Sequence, residues 1–296
     1  MHLMIDYTFT TGEDLLTICR VEQIPISEAA IYAELDREEM DRQGIMDEMR
    51  KNLQVMRESI REGLEEQQMS ITGLMGEDAD KLMAFSETAI MGPELSRIVA
   101  ASMAVTEVNA SMGLIVAAPT AGASGILPGV LIEYGDTHDL SEKQLIRGLC
   151  NAGAIGLIIA HNASIAGASG GCQAETGTAA AMAASALTEL RGGTPEMCLH
   201  AAAIALKNVM GLVCDPVAGL VECPCIKRNA IGAANAVLCS DMAMAGIESV
   251  IPFDEVVTAM RNVGRMMNPD LRETARGGLA ATPTALKIAE KIKNLE

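Results

Sequence analysis

Gly177-Thr178-Ala179-Ala180-Ala181-Met182-Ala183-Ala184-Ser185-Ala186-Leu187-Thr188-Glu189-Leu190 is the stretch that decides the fold class. It carries neither proline nor internal glycine and shows no apolar–polar alternation, so it reads as helix, with small side chains that let neighbouring helices come close. Working outward, the same reading covers 93–112, 141–160, 195–210, 229–245 and 253–262. Ser141 with Gln144, and Thr194 with Pro195 and Glu196, form helix starts. The composition agrees. Aromatics are 2% and Trp is absent, while 49% of the chain is hydrophobic, so the core is built from Ala, Leu, Ile, Val and Met. Sheets favour β-branched and aromatic residues. An all-α protein is expected: a single large helical domain with an N-terminal helical arm.

Two zones divide the 296 residues. Residues 1–90 form a charged, Met-rich arm. Within it 34–67 reads as one amphipathic helix, with Ile45, Met49, Leu53, Met56, Ile60 and Leu64 three or four residues apart. Residues 91–296 are rich in Ala and Gly, and no linker separates them from the arm, so one domain is expected. The net charge of −17 disfavours nucleic acid and anionic lipid as partners. The apolar runs 98–119 and 152–168 are interrupted by Glu107 and Asn109, and by His161 and Asn162, so they read as buried helices and no membrane is expected. Residues 1–16 show no signal-peptide pattern. Eight cysteines in such a chain point to a reducing cytoplasm, with metal binding or catalysis ahead of disulfides.

Three of those cysteines sit in turn-prone settings: Cys172 after Gly170-Gly171, Cys214 before Asp215-Pro216, and Cys225 after Pro224. Three thiolates could ligate an iron–sulfur cluster and leave one iron open to substrate. The spacing is wide, with 41 residues between the first two and ten between the second pair, unlike a compact ferredoxin run. Prolines at 216 and 224 are expected to hold Cys214 and Cys225 outside helices. A buried, inert thiol is the plain alternative for each. Zinc is a rival metal, although no His lies at finger spacing. Cys223 is a substitute ligand by position; Cys19, Cys150, Cys198 and Cys239 read as core residues.

Two small-residue loops add binding chemistry. Residues 117–129 join Thr120, Gly122, Ser124 and Gly125 to an apolar segment, a junction whose N–H groups suit a carboxylate. Residues 162–171 bring Ser164, Ser169 and Gly170 to Cys172. A further loop, 272–284, carries Arg272 and Arg276, either of which could fork onto a carboxylate. Plain interhelical turns are the alternative for all of them. Of the four histidines only His161 lies near a motif. No general base stands out in this chain; a Lys or Ser-type group, or a residue of another chain, could supply it.

Taken together, 116–122, 170–175, 211–222, 224–229, 107–113 and 277–283 make the chain resemble the α chain of iron–sulfur-dependent L-serine dehydratase (L-serine ammonia-lyase). The resemblance runs from about residue 20 to the end. It implies an all-helical catalytic domain that holds a [4Fe-4S] cluster on Cys172, Cys214 and Cys225 and converts L-serine to pyruvate and ammonia, in amino-acid degradation and gluconeogenesis. It implies Thr120, Gly122, Ser124, Gly125, Ser164, Ser169 and Gly170 as substrate-binding, a separate regulatory β chain, and no pyridoxal phosphate; no Lys lies in a Gly-rich loop, and Lys227 instead follows Cys225. Single-chain relatives can end in a cysteine that caps the cluster; this sequence ends Lys293-Asn294-Leu295-Glu296, so self-capping is not expected. It departs from the usual pattern in the order Ala123-Ser124, in Ala166 for Ser, in His161 for Asn and in Cys223 for an apolar residue. Two other readings remain: a related cluster-dependent hydro-lyase acting on threonine or another hydroxy acid, and a non-catalytic cluster-binding redox sensor.

Overall fold

The computed structural model describes residues 6–37, 39–65 and 69–294. The chain's first five residues, the end of the expected 34–67 helix and the last two residues lie outside them. Thirteen α-helices occupy the described residues: α1 (Gly12–Glu22), α2 (Ile26–Asp36), α3 (Arg42–Glu65), α4 (Asp78–Phe85), α5 (Pro93–Ala110), α6 (Ile126–Thr137), α7 (Glu142–Asn162), α8 (Gly167–Gly170), α9 (Thr178–Leu190), α10 (Pro195–Asn208), α11 (Cys225–Met244), α12 (Phe253–Met266) and α13 (Pro283–Lys293). Extended pairing among them is limited to two isolated bridges, Met69 with Gly76 and Cys214 with Arg272. The fold is all-α. No described helix is long and apolar enough to cross a membrane.

Local chemistry sets the helix starts. Ser141 Oγ accepts from the Gln144 N–H while Gln144 Oε1 accepts from the Ser141 N–H at 2.9 Å, a reciprocal cap on α7. Thr194 caps α10 by accepting from the Met197 N–H, and Thr282 does the same for α13 through the Ala285 N–H. The Ala-rich segment becomes α9, in which Thr178 to Thr188 are all buried. A helix apolar all round belongs in the interior, and α9 is packed by α6, α7, α10 and α11.

The 34–67 segment differs from its expectation. It is two helices, because Asp41 Oδ1 accepts the Gly44 N–H at 2.8 Å and starts α3 afresh after α2 has ended at Asp36. The apolar stripe is as read: Ile45, Leu53, Met56 and Ile60 are buried, and α3 packs on α5, α6 and α7.

Glu107, on α5, is 1% exposed. Its Oε1 accepts from the N–H groups of Asp78 (3.0 Å) and Ala79 (3.3 Å) at the start of α4, whereas Oε2 is buried with no hydrogen-bond partner among the described residues. Burial pushes its carboxyl pKa up to about 7, from 4.5. The folded state therefore keeps a proton that the unfolded chain releases, so this group's contribution to stability is present below pH 4.5 and is lost as pH rises towards 7. At about 1.4 kcal/mol per pH unit the loss is about 3 kcal/mol. Glu107→Gln should thus unfold at a higher temperature than the wild type at pH 8 and gain less at pH 5. A gap that does not change with pH would mean that the carboxyl ionises normally.

Candidate active site

Cys172 precedes a π-helical turn, Gln173–Gly177, which runs into α9. Gln173 fixes that turn. Its buried side chain donates to Gly170 O (2.9 Å) and Met260 O (3.0 Å) and accepts from the Gly211 N–H (2.8 Å), while its own N–H donates to Leu212 O (2.9 Å). The segment that leads to Cys214 is thereby laid beside Cys172. Cys214 is held from the other side, donating its N–H to Leu271 O (2.9 Å) and accepting from the Glu273 N–H (2.7 Å).

Cys225 is the first residue of α11, with Pro224 at its N-cap. This corrects the expectation that proline would hold it outside a helix: a residue just before the first turn loses nothing by lacking an N–H. Asn229, one turn on and fully buried, donates to Cys225 O (2.9 Å) and Gly122 O (2.8 Å) and accepts from the Gly125 N–H (3.1 Å). It thus ties the 117–129 loop to the start of α11. The Ala118–Pro119 and Cys223–Pro224 bonds, one in each of those segments, are both cis.

Asp215 is the third tie. It is 3% exposed, pairs through Oδ1 with Arg228 Nη2 at 2.7 Å and accepts the Leu279 N–H on Oδ2 at 2.7 Å. Gly278 makes that approach with φ at +58°; a Cβ there would sit 2.3 Å from Asp215 Oδ2. Arg228 also donates to Val213 O at 2.8 Å.

The result is that Cys172, Cys214 and Cys225 are all buried and lie within electrostatic reach of one another. Burial pushes each thiol upward, Cys225 to about 12. Thr176, which shares a 3.0 Å hydrogen bond with Cys172, and the nearby Arg228 act against this at Cys172. Beside Cys214, Glu175 acts with it. Cys223 is partly exposed. Among the described residues no group of three or more His, Cys, Asp or Glu side chains is arranged to hold a metal ion. A cluster takes thiolates at separate irons, and three buried thiols within electrostatic reach of one another are the kind of donor such a group would need.

Glu175 stands where three motif loops meet. Its Oε1 accepts from Thr120 Oγ1 at 2.9 Å, and its Oε2 lies 3.8 Å from Cys214 Sγ. A methyl group added to Gly122 would be 3.4 Å from Oε1, and one added to Gly167 would be 2.6 Å from Oε2 and 2.9 Å from the Cys214 sulfur. Burial pushes the Glu175 pKa up, and nearby Glu273 adds to that. Sequence reasoning passed over Glu175 and Asn229, although both stand inside motifs that it singled out; the available signal was a lone carboxylate and a lone amide among small residues.

The other candidates divide. Ser124 is fully buried and its Oγ donates to Ala121 O at 2.8 Å. The N–H groups of Ala121 and Gly122 open a 3₁₀ turn, Ala121–Ala123, which leaves them outside its own hydrogen bonds. Ser164 and Ser169 are joined through their hydroxyls, and with Gly170 they line a separate cavity of about 240 Å³ beside Gln173, Arg261 and Arg265. His161 is exposed, His138 pairs with Glu94, and His200 accepts from the Ser249 N–H.

The sequence profile of the family described as "Serine dehydratase alpha chain" matches residues 21–280. Among characterised sequences the chain is 49% identical over 286 residues to "Probable L-serine dehydratase, alpha chain" of Bacillus subtilis (strain 168), covering 96% of this chain and 95% of that one. It is 41% identical over 280 residues to "L-serine dehydratase, alpha chain" of Peptoniphilus asaccharolyticus, covering 94% and 96%. It is also 39% identical over 284 residues to "L-serine dehydratase" of Streptomyces coelicolor, covering 94% of this chain and 62% of that longer one.

Proposed function

The chain belongs to the serine dehydratase alpha chain family, and on that footing we propose that it is the catalytic chain of an L-serine ammonia-lyase, working with a separate β chain and a [4Fe-4S] cluster. The observation that carries this reading is the gathering of three buried thiols, from three distant stretches of sequence, beside Thr120 and Glu175. Cys172, Cys214 and Cys225 would hold the cluster. When bound, such a group supplies a Lewis acid that eases departure of the serine hydroxyl.

The residues of the chain do the rest. The N–H groups of Ala121 and Gly122, with Thr120, receive the substrate carboxylate, as the first N–H groups of a turn suit an anion. Ser124 and Gly125 shape that loop from within, through bonds to Ala121 and Asn229. Ser164, Ser169 and Gly170 line a separate cavity beside Gln173, and their part in substrate binding would run through the loop that leads to Cys172. The group that takes the Cα proton would be a Lys or Ser-type side chain or a residue of the β chain rather than a histidine of this chain: His138 and His200 are engaged elsewhere and His161 faces solvent. Loss of water leaves aminoacrylate, which hydrolyses to pyruvate and ammonia.

Anaerobic reconstitution of the α chain with iron and sulfide, followed by assembly with the β chain, tests the reading. About four irons per α chain and serine-dependent pyruvate are expected, with activity that survives carbonyl reagents. Pyruvate formation by iron-free protein, or an iron-loaded complex that leaves serine untouched, would end it.

A further inference from the structure

We propose that the Glu175 carboxylate receives the ammonium group of the substrate, and so makes the site one for amino acids rather than hydroxy acids. The proposal rests on the serine reading above.

The first observation is position. Glu175 is in contact both with Thr120 of the 117–129 loop and with the thiol group of Cys214. The second is charge. Among the described residues neither Glu175 nor its like-charged neighbour Glu273 takes part in an ion pair, while Arg228, the cation near Cys172, is committed to Asp215 and to Val213 O. A half-buried carboxylate whose hydrogen-bond partners among the described residues are the Thr120 hydroxyl and, in the cluster-free chain, the Cys214 thiol is short of a cation. The third is the small residues around it: Gly122 and Gly167 face the two oxygens, and any larger residue at 167 would meet Oε2 and the Cys214 sulfur at once. Apart from Thr120 and Cys214, the surface beside the carboxylate is therefore made of small residues.

A serine whose carboxylate lies on the Ala121 and Gly122 N–H groups carries its ammonium one bond from the same carbon. Glu175, joined to Thr120 at the edge of that turn, is the acceptor next to it. Both charged ends of the amino acid would then be read by neighbouring groups, leaving the hydroxymethyl arm free to turn toward the thiols. A substrate with a hydroxyl in place of the ammonium would leave the Glu175 charge unpaired, and sites built around a charged partner reject analogues that lack it.

The test uses the iron-loaded α chain assembled with its β chain, as wild type, Glu175→Gln and Glu175→Asp. Iron content, kcat and KM for L-serine, and the inhibition constant of L-glycerate, which carries a hydroxyl where serine has its ammonium, are measured for each. Glu175→Gln should keep its iron, raise KM for serine roughly ten- to a hundredfold, the range of a charge-assisted hydrogen bond, and bind glycerate as well as the wild type or better. Glu175→Asp should lie between. A parallel weakening of serine and glycerate, a fall in kcat with KM unmoved, or loss of iron from the variants would each overturn the assignment. If the Gln variant does not fold, the Asp variant gives the same comparison. Failure of the serine reading itself would appear elsewhere, as a wild-type complex that makes no pyruvate.

Discussion

Cys172→Ala, Cys214→Ala and Cys225→Ala are each expected to cut serine turnover by about a thousandfold or more, because a Lewis-acid contribution of several kcal/mol, at about 1.4 kcal/mol per tenfold, has that size. Activity alone would not separate a lost ligand from a damaged core, since all three thiols are buried. Iron content and the visible absorption of the reconstituted protein make the separation. Each variant should bind less iron than the wild type while keeping its helical circular dichroism. Cys223→Ala supplies the contrast: that residue is partly exposed, and its loss should leave both iron and turnover in place. Wild-type iron content in any of the three alanine variants would remove that cysteine from the ligand set.

Asp215→Ala should be the most destabilising single change near the site. It would strip Arg228 of its charged partner while the side chain stays 12% exposed, and it would orphan the Leu279 N–H. Breaking one side of a buried pair costs about 3–5 kcal/mol. In a chain of this size that is a fall of about five to eight degrees in the unfolding midpoint. Asp215→Asn keeps an acceptor for Leu279 and should fall less. Chemical denaturation of the three proteins would measure the order, and equal stabilities would show that the pair carries no net weight.

The helices were legible where a cap and an apolar run coincide. Ser141 with Gln144, and Thr194 with Pro195, announce α7 and α10 within a few residues. The same Thr–Pro signal at Thr282-Pro283 starts α13, yet it stands inside a Gly-rich motif and was read as loop. The break before α3 was hidden because no Gly or Pro marks it; the interruption rests on a single Asp41 cap. At the site, the three cysteines and Thr120 could be named from their neighbours in sequence. Their joining could not, because Gln173, Asp215 and Asn229 act by long-range hydrogen bonds, and an amide or carboxylate that reaches across the fold looks in sequence like any other polar residue.

Residues 271–279 are stitched to Cys214 by two backbone hydrogen bonds and to the Asp215 carboxylate by the Leu279 N–H, which reaches across 64 positions of chain. The tail of the molecule is therefore a wall of its chemistry. A nick between α12 and α13 would be felt at a thiol far upstream in the chain, so protease resistance of that short connector should report whether the centre is properly assembled.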